Sequence, residues 1–168
     1  MVNGPVEITD LSSAEFWSHA AVHEAGHAVV GIGLGLTVRT IKIGLETLTT
    51  SELILGGVVF DAPANDHRIL MELQPEEMGP TLMAGFTSEL KMYGCYIGDS
   101  YAGDLNILRR GLHWTDALNS TQQGTVHDYV RIARKLVNQD KRAIVRVAKA
   151  LIKVRELDGE GVMKLIEE

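Results

Sequence analysis

His23 and His27 stand four residues apart with Glu24 beside the first, in the run His23-Glu24-Ala25-Gly26-His27. Residues four apart share one face of an α-helix, so both imidazoles can turn a ring nitrogen toward one metal ion about 2.0–2.1 Å away. Glu24 then sits beside the metal's water, where a carboxylate can take a proton and later pass it to a leaving amine, the pattern of zinc hydrolases. Five residues also recur by chance, so the surrounding helix decides. Ser12 or Ser13 can cap a helix that runs to Leu36, with Phe16, Trp17, Ala21, Ala25, Ala28, Val29 and Ile32 giving it apolar faces. Gly31, Gly33 and Gly35 weaken its end.

A catalytic zinc site usually has three protein ligands and one open position. Glycine and histidine at the third and sixth positions after His27 would complete one known pattern, but Val30 and Gly33 stand there. Glu46 and Glu52 fall in a stretch of Thr, Ile and Leu with little helical period, whereas Glu89 lies on a better helix. Asp104 opens an apparent helix, Asp104 to His113, after an irregular segment from Gly94 to Gly103. Spacing alone leaves the third ligand open.

The elements that must position these groups read as a mainly α fold with a small β-sheet, of the α+β class, with the motif helix in the core. Thr37 to Ile43 alternates and is rich in branched residues, as a half-buried strand would be. A second strand covers Leu53 to Phe60, where Gly56-Gly57 marks a bulge or a close backbone approach, and a third runs from Ile69 to Leu73. Pro75-Glu76-Glu77 starts a helix, and Pro80 interrupts it before it continues through Leu90 and Tyr93. Val126, Tyr129, Val130, Ala133 and Leu136 recur at helical spacing, as do Ile144, Val147, Ala148 and Leu151. Arg131, Arg134, Lys135 and Arg142 then form a solvated face, and Leu157-Asp158-Gly159 is a turn before a final short helix.

In order along the chain, several segments resemble the peptidase domain of the FtsH family of membrane-anchored ATP-dependent proteases. His23 to Ala28 is similar to that family's zinc motif, and the strand Leu55-Gly56-Gly57-Val58 to its substrate-lining edge. Asn65-Asp66-His67-Arg68, Gly85-Phe86-Thr87-Ser88-Glu89-Leu90 and the stretch from Ala150 to Glu160 match later segments. The resemblance implies a zinc metalloendopeptidase of the M41 type with Zn2+ held by His23, His27 and Asp104, one ion per chain, and Glu24 as the catalytic base. It implies a polypeptide substrate paired along Leu55, Gly56, Gly57 and Val58. Ser100-Tyr101-Ala102-Gly103-Asp104 departs from the family's Gly-Ala-x-x-Asp and leaves Asp99 as an alternative ligand. Phe86 replaces an expected arginine, and only Glu89 of a glutamate pair remains. No Gly-x-x-x-x-Gly-Lys-Ser/Thr phosphate loop occurs, so a separate ATPase or unfoldase is the partner to expect. The family works as hexamers, which makes a homo-oligomer a further expectation.

At 168 residues, 45% hydrophobic and 23% charged, the sequence reads as a single globular domain over 1–168. A net charge of −6 argues against a nucleic-acid groove. Cys95 is the single cysteine and gives no internal disulfide. The longest apolar run, Ala28 to Leu36, falls well short of the roughly 20 residues a spanning helix needs, so no direct membrane insertion is expected. With no signal peptide in view, residence is expected to be cytoplasmic. His19 reads as a solvated histidine, and Glu89 as either an ordinary helix carboxylate or a group that orients a ligand histidine. His67, His113 and His127 have no partner spacing, while Met71, Met78, Met83 and Met92 read as core filling. Two functions compete: a zinc endopeptidase acting on unfolded or flexible polypeptides, and a catalytically silent, metal-stabilised interaction module.

Overall fold

The computed structural model describes residues 5–6, 13–49, 52–63, 66–115 and 117–168, with only the backbone described for 5–6, 45–49, 52–55 and 99. Helix α1 (Ala14–Gly33) begins where Ser13 Oγ accepts the Phe16 N–H at 3.0 Å. It ends where Gly35 adopts φ +93°. The Gly35 and Leu36 N–H groups then bond back to Ile32 and Gly31 carbonyls, a closure that a left-handed residue permits and that glycine adopts without strain. Residues from Phe16 to Gly31 are buried on nearly every side of α1, so it is a central helix rather than an amphipathic surface one.

Strands β2 (Val38–Thr49) and β3 (Glu52–Phe60) pair antiparallel. A short β5 (Glu156–Asp158) joins the other side of β2, giving the order β3-β2-β5. Among the described residues β3 is therefore an edge strand. Strands β1 (Pro5–Val6) and β4 (Tyr96–Ile97) form a separate two-residue parallel pair. Helices α2 (His67–Leu73), α3 (Pro75–Tyr93), α4 (Gly98–Gly111), α5 (Ser120–Gln139), α6 (Lys141–Val154) and α7 (Gly159–Glu167) complete the order. One hydrophobic cluster joins sheet and helices, with Ala21, Ala25 and Ala28 of α1 in its middle. The molecule is mainly helical with a small antiparallel sheet, the expected α+β class. No helix among the described residues is long and apolar enough to cross a membrane.

Four local expectations are corrected. Ile69 to Leu73 is helix, not strand, because Asp66 Oδ1 accepts the Arg68 N–H at 2.8 Å and caps α2. A short apolar run fits either element by periodicity, and the cap decides. Pro80 does not interrupt α3, since the carbonyl it leaves without a partner belongs to exposed Glu76 in the first turn, where water can reach it. Helix α4 starts at Gly98 rather than at Asp104, which lies well inside it. Glu156 to Asp158 forms β5, and Asp158 Oδ1 then caps α7 by accepting the Gly161 N–H at 2.7 Å.

The expected strand at Thr37 to Ile43 extends further, to Thr49. Met71, Met78 and Met83 are fully buried, and Arg131, Arg134, Lys135 and Arg142 are exposed, as expected. The sheet is irregular beside Gly56, where the register shifts between Ile43 and Glu46 of β2. The close approach expected at this glycine is also present: a Cβ on Gly56 would lie 2.8 Å from the Lys42 carbonyl oxygen and 3.1 Å from Glu24 Oε1.

Candidate metal centre

Helical spacing brings His23 and His27 to the same face of α1, and their Nε2 atoms lie 3.0 Å apart. Asp104, reaching in from α4, places Oδ2 3.1 Å from His23 Nε2 and 3.3 Å from His27 Nε2. The triangle matches the edges of a tetrahedron about a zinc-sized ion, where ligand atoms about 2.0–2.1 Å from the metal stand about 3.3 Å apart. This buried His23, His27 and Asp104 group could hold a metal ion.

The protons make the stronger test. His27 Nδ1 lies 2.7 Å from the Thr81 carbonyl oxygen, which can only accept, so the ring hydrogen sits on Nδ1. His23 Nδ1 lies 2.7 Å from Glu89 Oε1 and donates to that carboxylate in the same way. Each neutral ring therefore presents a bare Nε2 lone pair to the other and to a carboxylate oxygen. Asp104 Oδ2 is buried and has no hydrogen-bond partner. Three converging acceptors repel one another unless a cation or additional protons lie among them, and the donor set of two imidazoles and a carboxylate suits a divalent metal.

The electrostatics agree. Burial, the largest influence, disfavours the imidazolium of His23, but Asp104, Glu89 and Glu24 outweigh it and hold its pKa well above 6.5. At His27 burial is likewise outweighed, chiefly by Asp104. Burial opposes ionisation of Asp104 too, yet His27 and His23 bring its pKa down to about 2. The same three groups that would bind a cation therefore favour added protons when no metal is bound.

Glu24 points from the same turn of α1 into the adjoining cavity, half-buried, and burial raises its pKa against the pull of His23 and His27. Gly56, Gly57 and Val58 of β3 line that cavity with it. Of the expected substrate strand, Leu55 belongs to β3, but its side chain lies outside the described residues. Of the alternative ligands, Glu89 bonds to ring Nδ1 atoms instead of joining the triangle, and the side chains of Glu46, Glu52 and Asp99 lie outside the described residues.

Glu89 takes the orienting role that was one of its two readings. Completely buried, it accepts from His23 Nδ1, His19 Nδ1 at 2.7 Å and the Ile97 N–H at 3.0 Å. Burial opposes its ionisation, but those donors lower its pKa. Such a bond fixes the ring and its tautomer so that Nε2 faces the metal position. His19, expected in solvent, is 1% exposed and stacks on Tyr93 with ring centroids 4.1 Å apart. Its place one turn before His23 was the available signal; its burial depends on α3.

Two contributors were given no site role by the sequence, although each lies in a segment that carries the resemblance. Gly85 lets α3 pass so close that a Cβ there would meet His23 and His27 Nε2. His67 lines the cavity beside Glu24, His27 and Asp104. His113 instead pairs with Glu72 at 3.0 Å on the surface, and His127 is exposed. No protein-family model and no curated protein matches the sequence.

Proposed function

We propose that this chain is a zinc-dependent endopeptidase acting on unfolded or flexible polypeptides, with a peptidase domain of the FtsH kind. The observation that supports the reading is a juxtaposition: His27 and Asp104 of the metal-ligand triangle, the Glu24 carboxylate and the β3 edge border one cavity of about 250 Å³. When bound, Zn2+ supplies Lewis-acid polarisation of a peptide carbonyl and acidifies water. His23 and His27 would hold the ion through Nε2, with Glu89 and the Thr81 carbonyl keeping each ring aimed. Asp104 contributes the third donor.

Glu24 does the proton work. It takes a proton from the attacking water and delivers it to the leaving nitrogen. The nucleophile is water, not a side chain. Leu55 to Val58 offer edge N–H and C=O groups to an extended chain, which selects for unpaired backbone more than for sequence. Folded proteins then need a separate ATPase to unfold and deliver them.

The test pairs zinc content with cleavage of unstructured casein by wild type and Glu24→Gln. About one zinc per chain in both, with cleavage by wild type alone, is expected. Cleavage by Glu24→Gln at the wild-type rate would sink the mechanism. Zinc in both with no cleavage by either would favour the metal-stabilised interaction module.

A further inference from the structure

His67 borders the cavity that Glu24, His27 and Asp104 share, yet takes no part in the metal-ligand triangle. Its Nε2 accepts the Phe60 backbone N–H at 3.4 Å, and its ring tilts against that of Phe60 with centroids 5.6 Å apart. A neutral imidazole that accepts at Nε2 carries its hydrogen on Nδ1. Burial is the largest influence on the His67 pKa and lowers it, against the pull of Asp66.

The other side-chain donors on this wall are engaged. His27 turns Nδ1 to the Thr81 carbonyl, and Thr81 Oγ1 donates to the Glu77 carbonyl at 2.7 Å. Among the described residues lining the cavity, the Nδ1–H of His67 is the one side-chain donor left for a ligand. Peptide hydrolysis has a use for such a group. As water adds to the carbonyl carbon, negative charge grows on the carbonyl oxygen, and a fixed donor in a partly dry site stabilises that charge more than it stabilises the ground state.

Resting on the peptidase reading, we infer that His67 is a further catalytic residue, donating its Nδ1–H to the scissile carbonyl oxygen as charge develops there. His67 gives up no proton. The water oxygen bonds to carbon, the C–N bond breaks, and the water's proton travels through Glu24 to the departing nitrogen. Phe60 holds the His67 ring from its backbone N–H and its aromatic face, which spares the donor from reorganising during the reaction.

The experiment uses zinc-loaded wild type, His67→Ala and His67→Gln. It follows cleavage of a fluorogenic casein-derived peptide, binding of a phosphinic peptide whose tetrahedral phosphorus mimics the adduct, and zinc content. His67→Ala is expected to lower kcat by ~10²–10³-fold, the usual loss for one oxyanion donor. KM should change by less than about twofold, because the contact strengthens only in the transition state. Phosphinic affinity should fall in parallel while zinc content holds, and His67→Gln, which keeps an N–H donor, should recover part of both losses.

Equal kcat in wild type and His67→Ala overturns the inference and leaves the peptidase reading standing. Loss of zinc together with activity in His67→Ala, unrelieved in His67→Gln, also overturns it, because His67 would then be structural. A wild type that neither cleaves the peptide nor binds the phosphinic mimic overturns both readings.

Discussion

Helix α1 presents two unlike faces to its neighbours. Toward α3 it turns His19, His23 and His27, with Gly26 packed so close to Ala84 and Ser88 that a side chain would collide. Glu89 and Asp104 close that seam with charge. Half a turn round the helix, Ala21, Ala25 and Ala28 are completely buried, and α6, which also packs on α1, buries Ile144, Val147 and Leu151 completely. The α6 seam is held by apolar area. The α3 seam is held mainly by matched donors and acceptors, and its balance fails at the metal-ligand triangle and at Ser88 Oγ, which is buried without a partner. Burying charges costs several kcal/mol per ion before partners compensate. A charged seam inside an otherwise apolar core therefore marks a ligand site more than a stabilising device.

The largest break in this comparison is His23→Ala. Zinc should fall from about one per chain to near none, as expected when a tetrahedral site loses a ligand. The metal-free variant should lose about 3–5 kcal/mol in denaturant unfolding, since Asp104 and Glu89 each lose a buried partner. Leu151→Ala breaks the other seam. It should cost about 2–5 kcal/mol as a cavity in the α6 packing while leaving zinc affinity unchanged. If Leu151→Ala weakened zinc binding as well as stability, the two seams would not be independent.

A pH series sharpens the contrast within the charged seam. His23 and His27 have raised pKa values in the metal-free fold, so the stability they contribute is complete below the ordinary 6.5 and is lost as pH rises through the raised values. Asp104, lowered to about 2, contributes above the ordinary 3.8 and loses that contribution as pH falls through its own value. The Tm of metal-free protein should fall from pH 6 to pH 8, and the Tm gained on adding zinc should be larger at pH 8, because the ion takes the place of protons. A zinc-induced gain that is larger at pH 6 would contradict the assignment. The smallest effect expected is that of Ser13→Ala, which removes the α1 cap and should cost about 1 kcal/mol with zinc affinity unchanged.

The two faces also differ in how much the sequence discloses. His23, Glu24 and His27 are legible because their geometry is local: spacing on one helix decides it. The apolar repeats of α5 and α6 are legible for the same reason. Asp104 needs α4 folded back onto α1, and only the FtsH resemblance singled it out in advance. His19 defeats base rates because its burial is set by Glu89 and Tyr93 of a distant helix. His67 stands just before the run from Ile69 to Leu73 that reads as a strand, and the Asp66 cap makes the whole segment a helix whose first residue meets Phe60. Pairs within one element can be read from spacing, whereas partners from different elements depend on the assembled core.

The most direct test of the central claim is zinc binding by wild type and Asp104→Ala, measured by competition with a chromophoric chelator. The account predicts one ion per wild-type chain and an affinity at least ~100-fold weaker in Asp104→Ala, beyond what losing an outer hydrogen-bond partner produces. Zinc bound equally well by both proteins, or by neither, would contradict it.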